Sequence, residues 1–347
     1  MSGIGISSTY SLKVFRSEEG PLIDIRSPKE FEQGHWPEAI NFPLFDDEER
    51  ALIGTTYKRK GRNEAILLGL NLTFPKLSNF KEVLKIYAEK SIKNQLKLYC
   101  WRGGLRSSSL AWYSSLLGIK PIVLEGGYKT YRRWAIQQFE KEWPLKLLGG
   151  KTGTGKTEIL LSLKNKGIST IDLEGLAIHK GSSFGGLGLP KQPSSEQFEN
   201  MIAEQLLVYE QKLSRPILLE AESANLGSCR IPKKLFNQMQ KAPLIEIKRT
   251  KKERVEILVK EYGNHLQSEL KEATLRIKRR LGPQRTEKAL EAIISSRWDE
   301  ACIAMLDYYD KCYEYELAKK PSKEKVDISG MNHHLAAEKL IELGYVY

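Results

Sequence analysis

The stretch PLKLLGGKTGTGKTEILLSL, residues 144–163, sets the architecture of the second half of the chain. Its apolar run Leu145–Leu148 predicts a strand, its glycines a loop, and Glu158–Leu163 a helix. Between strand and helix, Gly150 to Thr157 satisfies G-x-x-x-x-G-K-[ST] at every required position. Gly150, Gly153 and Gly155 let backbone N–H groups turn inward on phosphate oxygens, and the helix N-terminus adds its partial positive charge. Lys156 is placed to reach terminal phosphates and Thr157 to hold Mg²⁺. Such contacts are made to phosphate, so a nucleotide and a diphosphate ester suit the cradle equally.

Downstream, apolar runs predict strands at Ser169–Leu173, Pro216–Glu220 and Leu244–Lys248, with a helix over Ser194–Leu213. Strands alternating with helices point to an α/β domain with a parallel sheet, over residues 141–250. The stretch PILLEAES supplies Glu220 and Glu222 on either side of Ala221. An acid ending a neighbouring strand holds the metal through water in P-loop proteins, and Glu220 is the first candidate for that role. After Thr250 the sequence reads as helical to about Lys319, with a last short helix at Leu335–Leu343. Residues 251–347 are therefore expected to form a mainly helical extension.

Upstream, residues 1–140 show the same α/β alternation. Strands are expected at Leu22–Ile25, Leu96–Tyr99 and Pro121–Leu124, helices at Pro28–Gln33 and Ser107–Leu117, and a linking helix from Tyr131 to Trp143. Residues 98–109, LYCWRGGLRSSS, put Cys100 between a strand and a helix N-terminus. Inward N–H groups, that helix end and Arg102 or Arg106 would make a positive pocket, which favours thiolate over thiol and gathers an anion. Five residues lie between Cys100 and Arg106. A loop of that length, Trp101, Arg102, Gly103, Gly104, Leu105, Arg106 and Ser107, can surround a tetrahedral oxyanion, with Arg106 pairing with two of its oxygens. Phosphate esters, sulfur donors and selenium donors all satisfy this reading. A cysteine phosphatase is weakened by the absence of an evident aspartate acid in the loop.

The flanks of Cys100 narrow the fold. The stretch LIDIRSPKEFEQGHWPEAINFPL, residues 22–44, and the later VLEGGYKTYRRW resemble the opening and ending signatures of the rhodanese family. The resemblance implies that Asp24, Arg26 and His35 fix loops by hydrogen bonds.

The chain has 347 residues, enough for two domains, with 41% hydrophobic and 28% charged residues. No window approaches 18 uninterrupted apolar residues and the N-terminus lacks a signal-peptide stretch, so a cytoplasmic location without a membrane partner is expected. The four cysteines, Cys100, Cys229, Cys302 and Cys312, contain no CxxC pair, and the five histidines form no ligand-spaced cluster. Neither a disulfide framework nor a zinc site is suggested; Cys229, Cys302 and Cys312 read as core or surface thiols. The formal charge is +12, and residues 241–290 hold fourteen Lys or Arg against seven Asp or Glu. Within them RIKRRLGPQR carries Arg276, Lys278, Arg279, Arg280 and Arg285 with no acid between. A charge run is ordinarily a solvated face; a phosphate-backbone surface, with nucleic acid as the partner, is the functional alternative.

A rhodanese-like domain with CWRGGLRS followed by a P-loop domain resembles the tRNA 2-selenouridine synthase family. GTTYKRKGRNEAILLGL, GSSFG, QPSSEQFE, LEAES and RIKRRLGPQR match its pattern in order. The resemblance implies conversion of wobble 2-thiouridine in tRNA to 2-selenouridine through an S-geranyl intermediate, with geranyl diphosphate and selenophosphate as co-substrates. It makes Cys100 the selenium-transferring nucleophile, residues 101–107 the selenophosphate loop, and Gly69 a residue near prenyl transfer. A passing contact with a selenophosphate-producing enzyme would follow. A nucleotide or the prenyl diphosphate could fill the P-loop, and Mg²⁺ there stays open since Ala221 stands where a second acid is expected; the resemblance does not give the oligomeric state. The competing readings are a rhodanese-fold phosphatase or sulfurtransferase with a nucleotide-binding regulatory domain, and a nucleotide-gated RNA-binding adaptor without catalysis.

Overall fold

The computed structural model describes residues 9–210, 215–317 and 323–347. The chain divides into two compact units between Gln137 and Gln138. The expected helix ends at Leu213 and Lys319, and the first eight residues, lie outside the described residues.

The first unit is built on five parallel strands: β1 (Thr9–Tyr10), β2 (Leu22–Asp24), β3 (Ile40–Asn41), β4 (Gln95–Tyr99) and β5 (Lys120–Leu124). Their order is β1-β5-β4-β2-β3. All five residues of β4 are buried, as a central strand of a sheet covered on both faces requires. Side chains alternate across the pleat. Leu96 and Leu98 join Phe80, Leu84 and Leu110 in one core. Tyr99, Ile122 and Leu124 join Phe15, Trp36, Tyr128 and Tyr131 in the other.

The helices of this unit are α1 (Leu12–Ser17), α2 (Pro28–Gln33), α3 (Asp47–Lys60), α4 (Arg62–Thr73), α5 (Leu77–Ala88), α6 (Leu105–Leu116) and α7 (Gly127–Gln138). The set α3 to α5 is a helical insertion between β3 and β4 that the sequence pattern did not place. Its first helix opens on a capping box of Asp46 and Glu49 and closes on Lys58, Arg59 and Lys60, as the helix dipole favours. The helix expected from Tyr131 to Trp143 instead begins at the Gly-Gly turn and ends at Gln138. Tyr128, Tyr131 and Ala135 give it a buried stripe, which anchors it to the first unit's core.

The second unit has β6 (Leu145–Gly149), β7 (Thr170–Ile171), β8 (Ile217–Glu220), a short antiparallel pair of β9 (Asn225–Leu226) and β10 (Cys229–Arg230), β11 (Leu244–Lys248) and β12 (Lys323–Asp327). The parallel sheet has the order β12-β11-β6-β8-β7. Its helices are α8 (Lys156–Asn165), α9 (Leu173–Ala177), α10 (Ser195–Tyr209), α11 (Lys233–Lys241), α12 (Lys251–Tyr262), α13 (Gln267–Arg276), α14 (Lys278–Leu281), α15 (Pro283–Ile294), α16 (Trp298–Leu317) and α17 (His333–Glu342).

Residues 251–347 therefore do more than extend the sheet with helices. β12 pairs with β11 along five residues, and Ala336, Ala337 and Leu340 of α17 share a core with Leu160 and Leu163 of α8. β12 escaped the sequence reading because it is an edge strand, KEKVD, paired on one side only, where charge is tolerated. Helices α12 to α16 do form the helical layer expected after Thr250.

Candidate functional site

In the first unit Cys100 stands at the end of β4, 3% exposed. Its Sγ lies 3.3 Å from the hydroxyl of Ser107 in the first turn of α6, and Ser107 Oγ also donates to the carbonyl of Gly104. The loop is shaped by glycines on both of its sides. Gly103 has φ +63°, and a Cβ there would sit 2.7 Å from the Leu124 carbonyl oxygen. A Cβ on Gly127, φ +58°, would sit 2.2 Å from the Cys100 carbonyl oxygen. The backbone N–H of Tyr128 donates to that same carbonyl at 2.8 Å, and that of Lys129 to Trp101 at 3.1 Å. The Gly-Gly turn of VLEGGY thus supports the cysteine loop from behind.

Arg102 is exposed beside this loop, and Trp101 is 37% exposed with its ring 5.7 Å from that of Tyr128. Arg106, expected to face a bound oxyanion, pairs instead with Glu30: Nη1 to Oε2 is 2.6 Å. Glu30 is held for this by the capping box of α2 and by Arg50. Burial acts to raise the Glu30 carboxyl, but the Arg106 hydrogen bond and charge outweigh it and the group sits below its ordinary value. Sequence reading passed over Glu30, which looks like a helix-capping acid and nothing more.

Asp24, Arg26 and His35 have structural work. Fully buried Arg26 pairs with Asp24 through two nitrogens, donates to the Gly34 carbonyl at 2.6 Å, and lies 3.8 Å over the Tyr128 ring. His35 stacks on Phe31 at 3.6 Å with Nδ1 2.9 Å from its carbonyl oxygen. Gly69 is buried in α4, where a Cβ would meet Phe45 at 3.4 Å and Ile53 at 3.9 Å. It is a close-packing position of the helical insertion.

In the second unit the phosphate cradle lies between β6 and α8. Gly153 and Gly155 take φ +80° and +79°, and a Cβ on Gly153 would come 2.8 Å from the Arg254 carbonyl oxygen. Lys156 Nζ donates to the Gly150 carbonyl at 3.1 Å, folded over the loop. The loop is tied to the helical layer from outside: Arg254 of α12 donates to the Thr152 carbonyl and makes a two-pronged pair with Asp310 of α16, both contacts 2.7 Å. Lys151 pairs with Glu314 at 2.6 Å.

The acids of the cradle differ from expectation. Thr157 Oγ1 donates to Glu174 Oε2 at 2.7 Å. Glu220, the residue expected to serve the metal, is fully buried and does not line the cavity. Its Oε2 accepts from the Leu173 N–H at 3.0 Å, and its Oε1 has no hydrogen-bond partner among the described residues. Burial, with Asp172, Glu174 and Glu222 adding to it, pushes its carboxyl well above the usual range. Glu220 thus braces the start of α9, while Glu174 and Glu222 face the cavity. Burial also raises the Glu174 carboxyl, against the opposing charge of Lys156. The signal for Glu174 was present in IDLEGLA, an acid-rich helix start directly after the strand that follows the P-loop.

The cavity above the cradle has about 1900 Å³ of empty space, counting its open side. The basic residues of 276–285 divide around it. Arg280 lines the cavity with Tyr308 and Tyr313. Arg276, Lys278 and Arg279 are exposed and outside its lining, and Arg285 is half-buried with Nη1 3.4 Å from the Leu281 carbonyl oxygen. Among the described residues no three His, Cys, Asp or Glu form a group able to hold a metal ion, and no helix is long and apolar enough to cross a membrane.

Two family descriptions match the sequence. The tRNA 2-selenouridine synthase AAA domain matches residues 143–338, and the rhodanese-like domain matches residues 11–133. The chain is 35% identical to the tRNA 2-selenouridine synthase of Hydrogenovibrio crunogenus, over 89% of this chain and 92% of that one. It is 35% identical to the protein of the same name from Marinobacter nauticus, covering 86% and 89%, and 34% identical to that of Sulfurovum sp., covering 87% and 90%.

Proposed function

Because the chain belongs to the tRNA 2-selenouridine synthase family, we propose that it converts wobble 2-thiouridine in tRNA to 2-selenouridine in two steps, using geranyl diphosphate and then selenophosphate. In the first, the sulfur of the base forms a bond to C1 of the geranyl group and diphosphate leaves. In the second, the selenium of selenophosphate forms a bond to C2 of the base, the geranylthio group leaves as geranylthiol, and water cleaves the selenium–phosphorus bond with release of phosphate. The observation that carries this reading is Cys100 held at a strand end, in a loop opening on the N-terminus of α6, in one chain with a complete P-loop.

Each unit then has a task that fits its chemistry. The loop of residues 101–107 receives selenophosphate, with Cys100 the group that handles selenium and Ser107 positioning its sulfur. An arriving oxyanion competes with Glu30 for Arg106, exchanging one carboxylate partner for another anion. In the second unit Lys156 and the backbone of Gly150 to Gly155 take the diphosphate of the prenyl donor. Mg²⁺ arriving with that diphosphate would meet oxygen donors from Thr157, Glu174 and Glu222, the ligand type it prefers. The exposed Arg276, Lys278 and Arg279 engage the tRNA backbone.

Mass spectrometry of nucleosides from tRNA incubated with the protein, geranyl diphosphate and selenophosphate tests both steps. The expected result is 2-selenouridine from the intact protein and accumulated S-geranyl-2-thiouridine from Cys100→Ser. Selenouridine formed by the serine variant overturns the role of Cys100, and Cys100-dependent turnover of an aryl phosphate without change in tRNA mass overturns the transferase reading.

A further inference from the structure

A second cavity lies among α12, α13, α15 and α16. Leu258, Val259, Leu270, Ile293, Ala301 and Met305 line it. It shares Thr152, Ser182, Leu258, Tyr262 and Tyr309 with the cavity above the P-loop, so the two spaces adjoin at the phosphate cradle itself. One ligand can therefore occupy both, with its charged end at Lys156 and its other end among these helices.

Resting on the reading that the cradle holds a prenyl diphosphate, we infer that this helical slot is the binding site of the hydrocarbon tail. The chemistry of the wall selects that occupant. Its inner part is aliphatic and aromatic, with polar side-chain groups limited to the shared rim, the thiol of Cys302 and the indole N–H of Trp298. A nucleoside placed there would bury ring nitrogens, exocyclic groups and ribose hydroxyls without partners, which is unfavourable, whereas a branched alkene has none to satisfy. Burial, with Asp299 adding to it, pushes the Cys302 thiol up to about 11, so it stays neutral and lines the slot as a small apolar group. The empty space, counting the solvent at its open side, is about 590 Å³.

The slot also explains the length of the helical layer. Leu270, Ile293 and Ala301 come from three different helices and meet in one buried cluster, and none of them lines the cradle. They close the slot on the side away from the phosphates. The tail length accepted is then set by side-chain size on α13, α15 and α16.

Titration calorimetry on the full chain separates the slot from the cradle. Each buried methylene strengthens binding about fourfold, so burial of only about three or four of the geranyl carbons makes geranyl diphosphate bind on the order of 100-fold tighter than inorganic diphosphate, with a more negative heat-capacity change. Cys302→Phe, which fills the slot, and Val259→Asn, which makes it polar, should each remove at least tenfold of that advantage. Inorganic diphosphate should bind both variants as it binds the original, which also reports that they are folded. Equal affinity for the two ligands, or an advantage untouched by both substitutions, overturns the slot. So does ATP binding that exceeds geranyl diphosphate and weakens in the slot variants. Failure of the underlying reading has a different signature: geranyl diphosphate that inorganic diphosphate does not displace, or whose binding survives Lys156→Ala.

Discussion

The hydroxyl of Thr157 and the carboxylate of Glu174 are joined by a 2.7 Å hydrogen bond, across seventeen positions of sequence. The link places an acid on the phosphate cradle from the start of α9, while the strand-end acid Glu220 lies buried behind it.

Glu174→Gln follows directly. Without divalent metal, loss of the negative charge should tighten inorganic diphosphate about tenfold, or about 1.4 kcal/mol. With Mg²⁺ the variant should lose the gain in affinity that the metal confers on the original protein. Calorimetry with and without Mg²⁺ checks this, and an undiminished metal effect removes Glu174 from that role.

Glu220→Gln addresses the buried acid. The folded-state carboxyl lies well above the ordinary 4.5, so the folded protein binds more protons than the unfolded chain over the window above that value. Stability should fall as pH rises through it. Glutamine cannot ionise, so the variant should show a flatter pH profile and exceed the original at pH 8 by about 1–3 kcal/mol. Urea midpoints between pH 5 and 8 decide it; parallel profiles for the two proteins contradict it.

Glu30→Gln keeps a capping side chain on α2 and frees Arg106. Selenophosphate or inorganic phosphate should then bind the cysteine loop several-fold tighter, with Arg106→Ala reversing the gain. The Glu30 carboxyl lies below its ordinary 4.5 in the fold, burial opposing and Arg106 prevailing. Its ionised form thus contributes stability present above pH 4.5 and lost as pH falls through the lower folded value. Glu30→Gln should lose that acid-side dependence in a pH series of melts.

Asp310→Ala leaves the Arg254 guanidinium without its carboxylate. Arg254 is 3% exposed, and stranding a buried charge costs about 3–5 kcal/mol. Because Arg254 also holds the Thr152 carbonyl, anion affinity at the cradle should fall with stability. A cradle that binds diphosphate as before would show that the P-loop holds its shape without α16.

The basic segment should split in two. Arg276→Ala with Arg279→Ala should weaken tRNA binding and flatten its salt dependence, leaving diphosphate affinity unchanged. Arg280→Ala should do the opposite, since Arg280 lines the cavity above the P-loop. Equal effects of both sets on tRNA and diphosphate would refute the division.

Much of the fold was legible from local signals. Leu244–Lys248 and Pro28–Gln33 have the bounds that their apolar run and their Ser-Pro start announce. The first part of the insertion, from Asp47 to Thr73, was not legible, because α3 and α4 bury few residues and show little one-sided patterning, whereas α5 carried a readable helical stripe in Phe80, Leu84 and Ala88 that went unplaced. The loops that hold Cys100 and Lys156 were visible because they depend on residue types spaced along a few consecutive positions.

The sequence by itself determined the two α/β units, the cysteine loop and the phosphate cradle, since strand, glycine loop and helix follow one another within some twenty residues and the hydrogen bonds of loop and helix are local. Only the tertiary structure decided that Glu30 holds Arg106, that Glu174 serves Thr157 while Glu220 is buried, and that Arg280 leaves its basic neighbours for the cavity wall. Each of these sets a charged side chain against groups brought from another element, and packing, which aims a side chain inward or outward, sets the choice.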